Sequence, residues 1–207
     1  MTSWEKYAGK ATGWSEAQYA DARLYLTRRA ELVRLLGPPL APGDLVLDLA
    51  CGDGGLADFL PEQRYVGVDA SEEMIAAGLA RGRELVLADL NDYEPPQPVQ
   101  ATTIFRAIYY ARDRRTLLEH IAGYTEVKLV FDINPRQFRL ADLRPDLRAA
   151  GFDRLDVRPF FVPQTRALPR SFALGLRGLE RTGPGAGLLL RFRFTLLCSA
   201  SRRAAAS

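Results

Sequence analysis

Three aspartates carry most of the chemistry that this 207-residue chain offers. Asp48, Asp69 and Asp89 each close a short apolar run, in LVLDLACGDGG, VGVDASEEM and ELVLADL. Glycines follow the first acid, where a chain leaving a strand must turn tightly into a helix. Carboxylates at strand ends accept hydrogen bonds from the hydroxyls and amines of a nucleoside. A glycine turn lets the backbone approach a ligand closely, and a helix N-terminus beside it holds an anion. Together they describe the ligand edge of a doubly wound sheet.

Elements that place these acids can be read in order. Ser15 and Gln18 have the spacing of a capping box, which predicts a helix from Glu16 to about Leu36 with Ala20, Leu24, Leu32, Leu35 and Leu36 against the sheet. Pro42-Gly43-Asp44 turns into a first strand, Leu45–Leu49, apolar without alternation and therefore buried on both faces. A short crossover helix over 55–60 follows, then a strand at Tyr65–Val68. Ser71 caps a helix with Met74, Ile75 and Leu79 inward, and Leu85–Ala88 is the third strand. Ala101–Ile108 reads as the fourth strand with Arg106 near its end. Asp113 caps a helix with Leu117, Leu118 and Ile121 on one side, and Val127–Ile133 is the fifth strand. A helix over 140–150 is interrupted at Pro145. Two late strands, Leu155–Val162 and Leu188–Leu197, flank a segment holding a helix at PRSFALGLRGLE and a turn at TGPGAG.

This arrangement predicts one domain over 1–200. Residues 1–40 form an N-terminal helical arm, 41–162 the core βα units, 163–187 an insertion and candidate lid, 188–198 the last strand, and 201–207 a loose tail. A length of 207 residues suits one core rather than two. The net charge of +3 comes almost wholly from arginine, with no dense basic run of the kind nucleic acid demands, so a nucleic-acid partner is not expected. The longest apolar run, Leu188–Leu190, is broken by Arg191 and Arg193, so no membrane span is expected. One histidine and two distant cysteines make no metal set. The expected setting is cytoplasmic, as a monomer or homodimer.

Two cofactors compete for the glycine turn. Counted from Gly52, G-D-G-G-L-A satisfies the dinucleotide pattern, but little chain remains for a hydride-transfer partner domain. The other reading rests on a resemblance. Asp48, Ala50 where a glycine is usual, Gly52 and Gly54 resemble the first motif of the class I S-adenosylmethionine-dependent methyltransferases. The resemblance implies a Rossmann-like α/β fold with a mostly parallel seven-stranded sheet and an antiparallel last strand. It implies S-adenosylmethionine as cofactor and S-adenosylhomocysteine as product. Asp69 and Ala70 then serve the ribose, Asp89 and Leu90 the adenine, and Met74 packs beside the adenosine. Cys51, Asp53, Phe105 and Arg106 complete the expected cofactor wall, and the alanine at position 50 is expected to be a minor departure.

The reactive methyl would lie near the end of the fourth strand, where Arg106, Tyr109 and Tyr110 are the catalytic candidates. Arginine is no base at ordinary pH, so Arg106 would anchor an anionic group or pair with an internal acid. His120 falls mid-helix, away from that edge. Trp4, Tyr7, Trp14 and Tyr19, with Asn134, Arg136, Arg166, Arg170 and Phe172, supply aromatic walls and guanidinium groups for a planar or apolar acceptor with an anionic handle. The expected activity is methyl transfer to a hydroxyl, amine or carbon of a small molecule. The alternatives are a non-methylating S-adenosylmethionine-binding protein and a protein or RNA methyltransferase.

Overall fold

The computed structural model describes residues 13–180 and 195–202. Its seven strands are β1 (Leu45–Leu49), β2 (Arg64–Asp69), β3 (Leu85–Leu87), β4 (Val99–Ile104), β5 (Thr125–Ile133), β6 (Arg154–Phe160) and β7 (Thr195–Ser201). They form one sheet in the order β3-β2-β1-β4-β5-β7-β6, with β7 antiparallel to both neighbours and every other pair parallel. The expected doubly wound, mostly parallel seven-stranded sheet with an antiparallel last strand is present.

Helices are α1 (Trp14–Ala17), α2 (Ala22–Leu35), α3 (Glu72–Leu79), α4 (Arg114–Tyr124), α5 (Leu140–Ala149) and α6 (Arg170–Leu179). All five residues of β1 are buried. Strand parity sorts them between two cores. Leu45, Leu47 and Leu49 pack with Leu118, Ile121, Leu143 and Leu147 of α4 and α5, whereas Val46 packs with Tyr25 and Val33 of α2. The same parity puts Asp48, Thr103 and Asp132 on the α2 face.

Several sequence expectations are corrected. The first helix is two: α1 ends at Ala17, and α2 starts after Asp21, whose carboxylate accepts from Leu24 N–H at 2.9 Å. Ser15 caps nothing, because its hydroxyl and N–H both donate to Asp53 instead. The inward face of α2 is Tyr25, Leu26, Arg28, Arg29, Ala30, Leu32 and Val33, while Ala20 and Leu35 are exposed. The crossover at 55–60 is only a 3₁₀ turn, Ala57–Phe59. Leu79 is exposed at the end of α3, although Ser71 does cap that helix through Met74 N–H. β4 stops at Ile104, so Arg106 lies beyond it. Pro145 sits inside α5 without breaking it. β7 runs to Ser201, three residues past the expected end, and that residue is buried. Residues 188–194, Trp4 and Tyr7 lie outside the described residues. No described helix is long and apolar enough to cross a membrane.

Candidate active site

The carboxyl ends of β1, β2, β3 and β4 open onto a cavity of about 210 Å³, closed on one side by α1 and α2. From the predicted cofactor set, Asp48, Ala50, Cys51, Gly52, Asp69, Ala70, Met74, Asp89, Leu90, Phe105 and Arg106 line it. From the predicted acceptor and catalytic sets, so do Trp14, Tyr19, Tyr109 and Tyr110.

The glycine turn is held from behind. Cys51 N–H donates to Val68 O at 3.0 Å, and Gly52 N–H to Asp69 Oδ2 at 2.8 Å, which ties the turn to β2. Gly52 has φ 62°, and a Cβ there would sit 3.0 Å from Trp14 Cδ1, so only glycine fits between α1 and the ligand space. Ala50 also takes a left-handed conformation, φ 57°. The exchange of glycine for alanine is therefore not a minor matter of space: it strains the backbone by roughly 1–2 kcal/mol.

Two residues of the expected cofactor set lie outside the lining. Asp53 is fully buried and takes no part in the cavity lining; it receives the hydroxyl and N–H of Ser15 and lies 3.3 Å from Arg83. Gly54 is likewise outside the lining, its φ of 72° and the side chain of Leu85 making it a packing glycine. Both residues build the turn from below.

The three acids differ in electrostatic state. Asp48 is buried, accepting from Thr103 Oγ1 at 2.5 Å and Tyr65 Oη at 2.8 Å. Burial pushes its carboxyl up to about 6 despite those two donors. Asp69 is also raised by burial, against backbone donors from Ser71 and Gly52. Asp69 Oδ2 accepts from Gly52 N–H and Oδ1 from Ser71 N–H, and each carboxylate oxygen can accept more than one hydrogen bond. Burial alone would raise Asp89, but Asn91, donating through its N–H and its side-chain amide, and Arg112 hold it below its ordinary value. Burial and the surrounding aspartates push the Cys51 thiol well up, so it offers no thiolate.

Past β4 the chain reverses abruptly. Arg106 has φ 56°, and its N–H donates to Asp132 Oδ1 at 2.6 Å. Its guanidinium is buried near Tyr19, Tyr25 and Tyr109, and their combined influence keeps it charged against that burial. Tyr19 stacks on Tyr25 with centroids 3.9 Å apart, and Tyr109 meets Tyr110 edge-on at 4.6 Å.

Other acceptor candidates are placed elsewhere. Asn134 spends its Oδ1 on Arg136 N–H and its carbonyl on Gln137 and Phe138, shaping the turn after β5. Arg136 and Arg166 are exposed outside the lining, as is Phe172, at 59% exposure. Arg170 begins α6, which contributes nothing to the cavity wall among the described residues. Gln164 of the late segment reaches this region: its carbonyl accepts from Ala20 N–H and its amide donates to Tyr25 Oη at 3.3 Å. His120 is half-buried on α4 against Tyr93 O, away from the cavity, as expected.

Sequence reasoning missed Ser15, Gln18, Leu26, Arg29, Leu56, Ser71, Ala88, Asn91 and Ala107 on the cavity wall. Arg29 is the consequential one. A signal was present: Tyr25, Leu26, Arg29, Ala30 and Val33 follow the spacing of one buried helical stripe, with an arginine where an apolar residue belongs.

The residues present fit S-adenosylmethionine. Asp69 and Asp89 put two carboxylate acceptors on one cavity wall, and the buried side chains of Leu90 and Met74 give that wall apolar surface. Among the described residues no cluster could hold a metal ion.

A protein-family model described as a methyltransferase domain matches residues 46–126. Trans-aconitate 2-methyltransferase of Azoarcus sp. (strain BH72) is 32% identical over 114 residues, 52% of this chain and 45% of that protein. The enzyme of that name from Rhizobium rhizogenes (strain K84 / ATCC BAA-868) is 35% identical over 92 residues, 42% of this chain and 36% of its own length. The matched stretch thus spans less than half of these curated relatives. A chain in the complex between the Haloferax volcanii Trm112 methyltransferase activator and a methyltransferase shares the fold, with TM-score 0.65 and 19% identity over 96% of this chain and 97% of that one. So does magnesium protoporphyrin IX methyltransferase from Synechocystis PCC 6803, with TM-score 0.59 and 16% identity over 97% and 89%. Sheet order, the acid-ended strands around one cavity and the methyltransferase-domain match over residues 46–126 agree with the fold and site plan of the class I S-adenosylmethionine-dependent methyltransferases.

Proposed function

We propose that the protein transfers the methyl group of S-adenosylmethionine to a small molecule that carries a carboxylate. The observation that carries this reading is one cavity lined both by the adenosine-side acids, Asp69 and Asp89, and by the guanidinium of Arg106. When bound, S-adenosylmethionine supplies a methyl already activated on a sulfonium. The chain's own part is alignment and exclusion of water. Arg106, its backbone strained and its N–H anchored, presents a planar donor set suited to a carboxylate. Trp14 and Tyr19 on one side and Tyr110 on the other flank the acceptor with aromatic surface.

Proton removal is the weakest resource of the cavity. Its wall holds no histidine or lysine among the described residues, and Asp48 is committed to Thr103 and Tyr65. An acceptor whose nucleophile is already free of its proton suits such a wall. A carboxylate oxygen meets that need, and the curated relatives named for trans-aconitate, a tricarboxylate, support the same choice.

Incubation with S-adenosylmethionine and trans-aconitate, followed by mass spectrometry, tests this directly. S-Adenosylhomocysteine together with a methyl ester is the expected product pair. Formation of neither, across a panel of di- and tricarboxylates, by protein that binds S-adenosylmethionine would reject the assignment.

A further inference from the structure

Behind the aromatic wall lies a charge that the proposed transfer does not yet use. Arg29 is 5% exposed, lines the cavity, and sits with its guanidinium carbon 4.2 Å from the ring centre of Phe105 and 4.8 Å from that of Tyr25. Its Nη2 donates to Tyr25 Oη at 3.0 Å and its Nη1 to Tyr19 Oη at 3.5 Å. Among the described residues its Nε has no hydrogen-bond partner. The nearest carboxylate is Asp132, at 3.6 Å from Nη2, and Asp132 is not part of the cavity lining.

That pair is loosely made. Oδ1 of Asp132 is taken by Arg106 N–H, while the buried Oδ2 has no hydrogen-bond partner among the described residues. Two desolvated ions with an unfilled donor and an unfilled acceptor are a costly arrangement unless something else satisfies them. Burial works against the charge on Arg29, but the neighbouring acidic groups, Asp132 and Asp48 among them, favour it, so the guanidinium stays charged. A cation at the cavity wall is thus surrounded by neutral hydroxyls and ring faces, with its counter-charge outside the lining.

We infer that Arg29 selects an anionic acceptor, and that Asp132 is the counter-charge against which the acceptor's carboxylate competes. The inference rests on the methyltransferase reading for the identity of the site. Arg106 and Arg29 then flank the acceptor as two cations, one from the turn after β4 and one from α2. Asp132 joins them, fixing the Arg106 backbone while tempering Arg29. It is a positioning residue, since it touches no part of the cavity.

Calorimetric titration with tricarballylate at saturating S-adenosylhomocysteine provides the test, on wild type, Asp132→Asn, Arg29→Met, Arg29→Lys and the double variant Arg29→Met/Asp132→Asn. Asparagine still accepts from Arg106 N–H but removes the competing charge. Asp132→Asn should bind tricarballylate at least tenfold more tightly than wild type. Arg29→Met should lose tenfold or more and abolish the gain in the double variant. Arg29→Lys, which keeps the charge without the planar fork, should lie between. Equal affinity in wild type and Asp132→Asn, including no binding by either, overturns the inference, as does an Arg29→Lys protein that binds like wild type. Titration of the wild type with S-adenosylhomocysteine alone separates the two levels. Its failure strikes the cofactor reading, whereas normal binding without the Asp132 effect strikes only this inference.

Discussion

The N–H of Arg106 donates to Asp132 Oδ1 at 2.6 Å, and through that bond the end of β5 holds the chain after β4 in a left-handed conformation. A non-glycine residue at φ 56° costs about 1–2 kcal/mol, and such strain gathers at sites where direction matters more than stability. Here it turns the guanidinium toward Tyr19 at the cavity.

Exchange of Arg106 separates backbone from side chain. Arg106→Gly should raise stability by up to about 1 kcal/mol, because glycine takes this conformation freely, while turnover of a carboxylate acceptor falls by a hundredfold or more. Arg106→Lys should leave S-adenosylmethionine affinity within twofold and raise acceptor KM about tenfold, since lysine is a point charge without the fork. Thermal melts, calorimetry and steady-state kinetics on the same preparations check all three. Loss of cofactor affinity in Arg106→Lys would place the residue on the donor side.

Ala50 makes a simpler case at φ 57°. Ala50→Gly should raise Tm by about 2–4 °C, the shift that about 1 kcal/mol gives a chain of this size, with cofactor affinity unchanged. Ala50→Val should lower Tm, because a β-branched residue is excluded from this conformation. A lower Tm for the glycine variant would show that the turn is not strained there.

Asp53 is a joint rather than a ligand. Ser15 N–H and Oγ reach it from α1, and Arg83 both approaches its carboxylate and donates to its carbonyl at 2.7 Å. Ser15→Ala should cost about 1–2 kcal/mol and loosen α1, which carries Trp14 onto Gly52. Cofactor affinity should then fall several-fold although no proposed ligand contact is lost. Quenching of tryptophan fluorescence by iodide, stronger in Ser15→Ala than in wild type, would report the freed helix; equal quenching and equal affinity would refute the joint.

Strand ends and their acids were legible because apolar runs of fixed length announce buried parallel strands, and parity follows from a period of two. Asp48 pairs with Thr103 across β1 and β4, and Thr103 with Val130 across β4 and β5, so Asp48, Thr103 and Asp132 share a face once the strand order is known. Arg29 was not legible in that way. An arginine on the inner stripe of α2 looks like a flaw in amphipathicity until the acids beneath it are placed by a long-range pairing. The break at Gln18–Asp21 was hidden for a related reason, since Ser15 has a partner 38 residues away that outweighs a local cap. Phe172 and Arg166 were chosen for the lid by residue type alone, which carries no information about distance.

Asp48 makes the pH dependence specific. Its folded-state carboxyl lies near 6, against 3.8 for a free side chain, with burial as the main cause. A raised acid favours folding while it keeps its proton. That contribution is complete below about 3.8 and is lost as pH rises through about 6, because the unfolded chain releases its proton first. The shift corresponds to about 3 kcal/mol across this window. Asp48→Asn removes the titration, so the difference in unfolding free energy between variant and wild type should grow in the variant's favour from pH 4 to pH 7. Urea unfolding at half-unit pH steps measures it. The amide keeps one acceptor for Thr103 or Tyr65, and its own N–H₂ must find a partner, which offsets the gain by about 1 kcal/mol. A difference that stays flat across the window would mean that Asp48 is ionised in the folded state throughout, with Arg29 as its counter-charge.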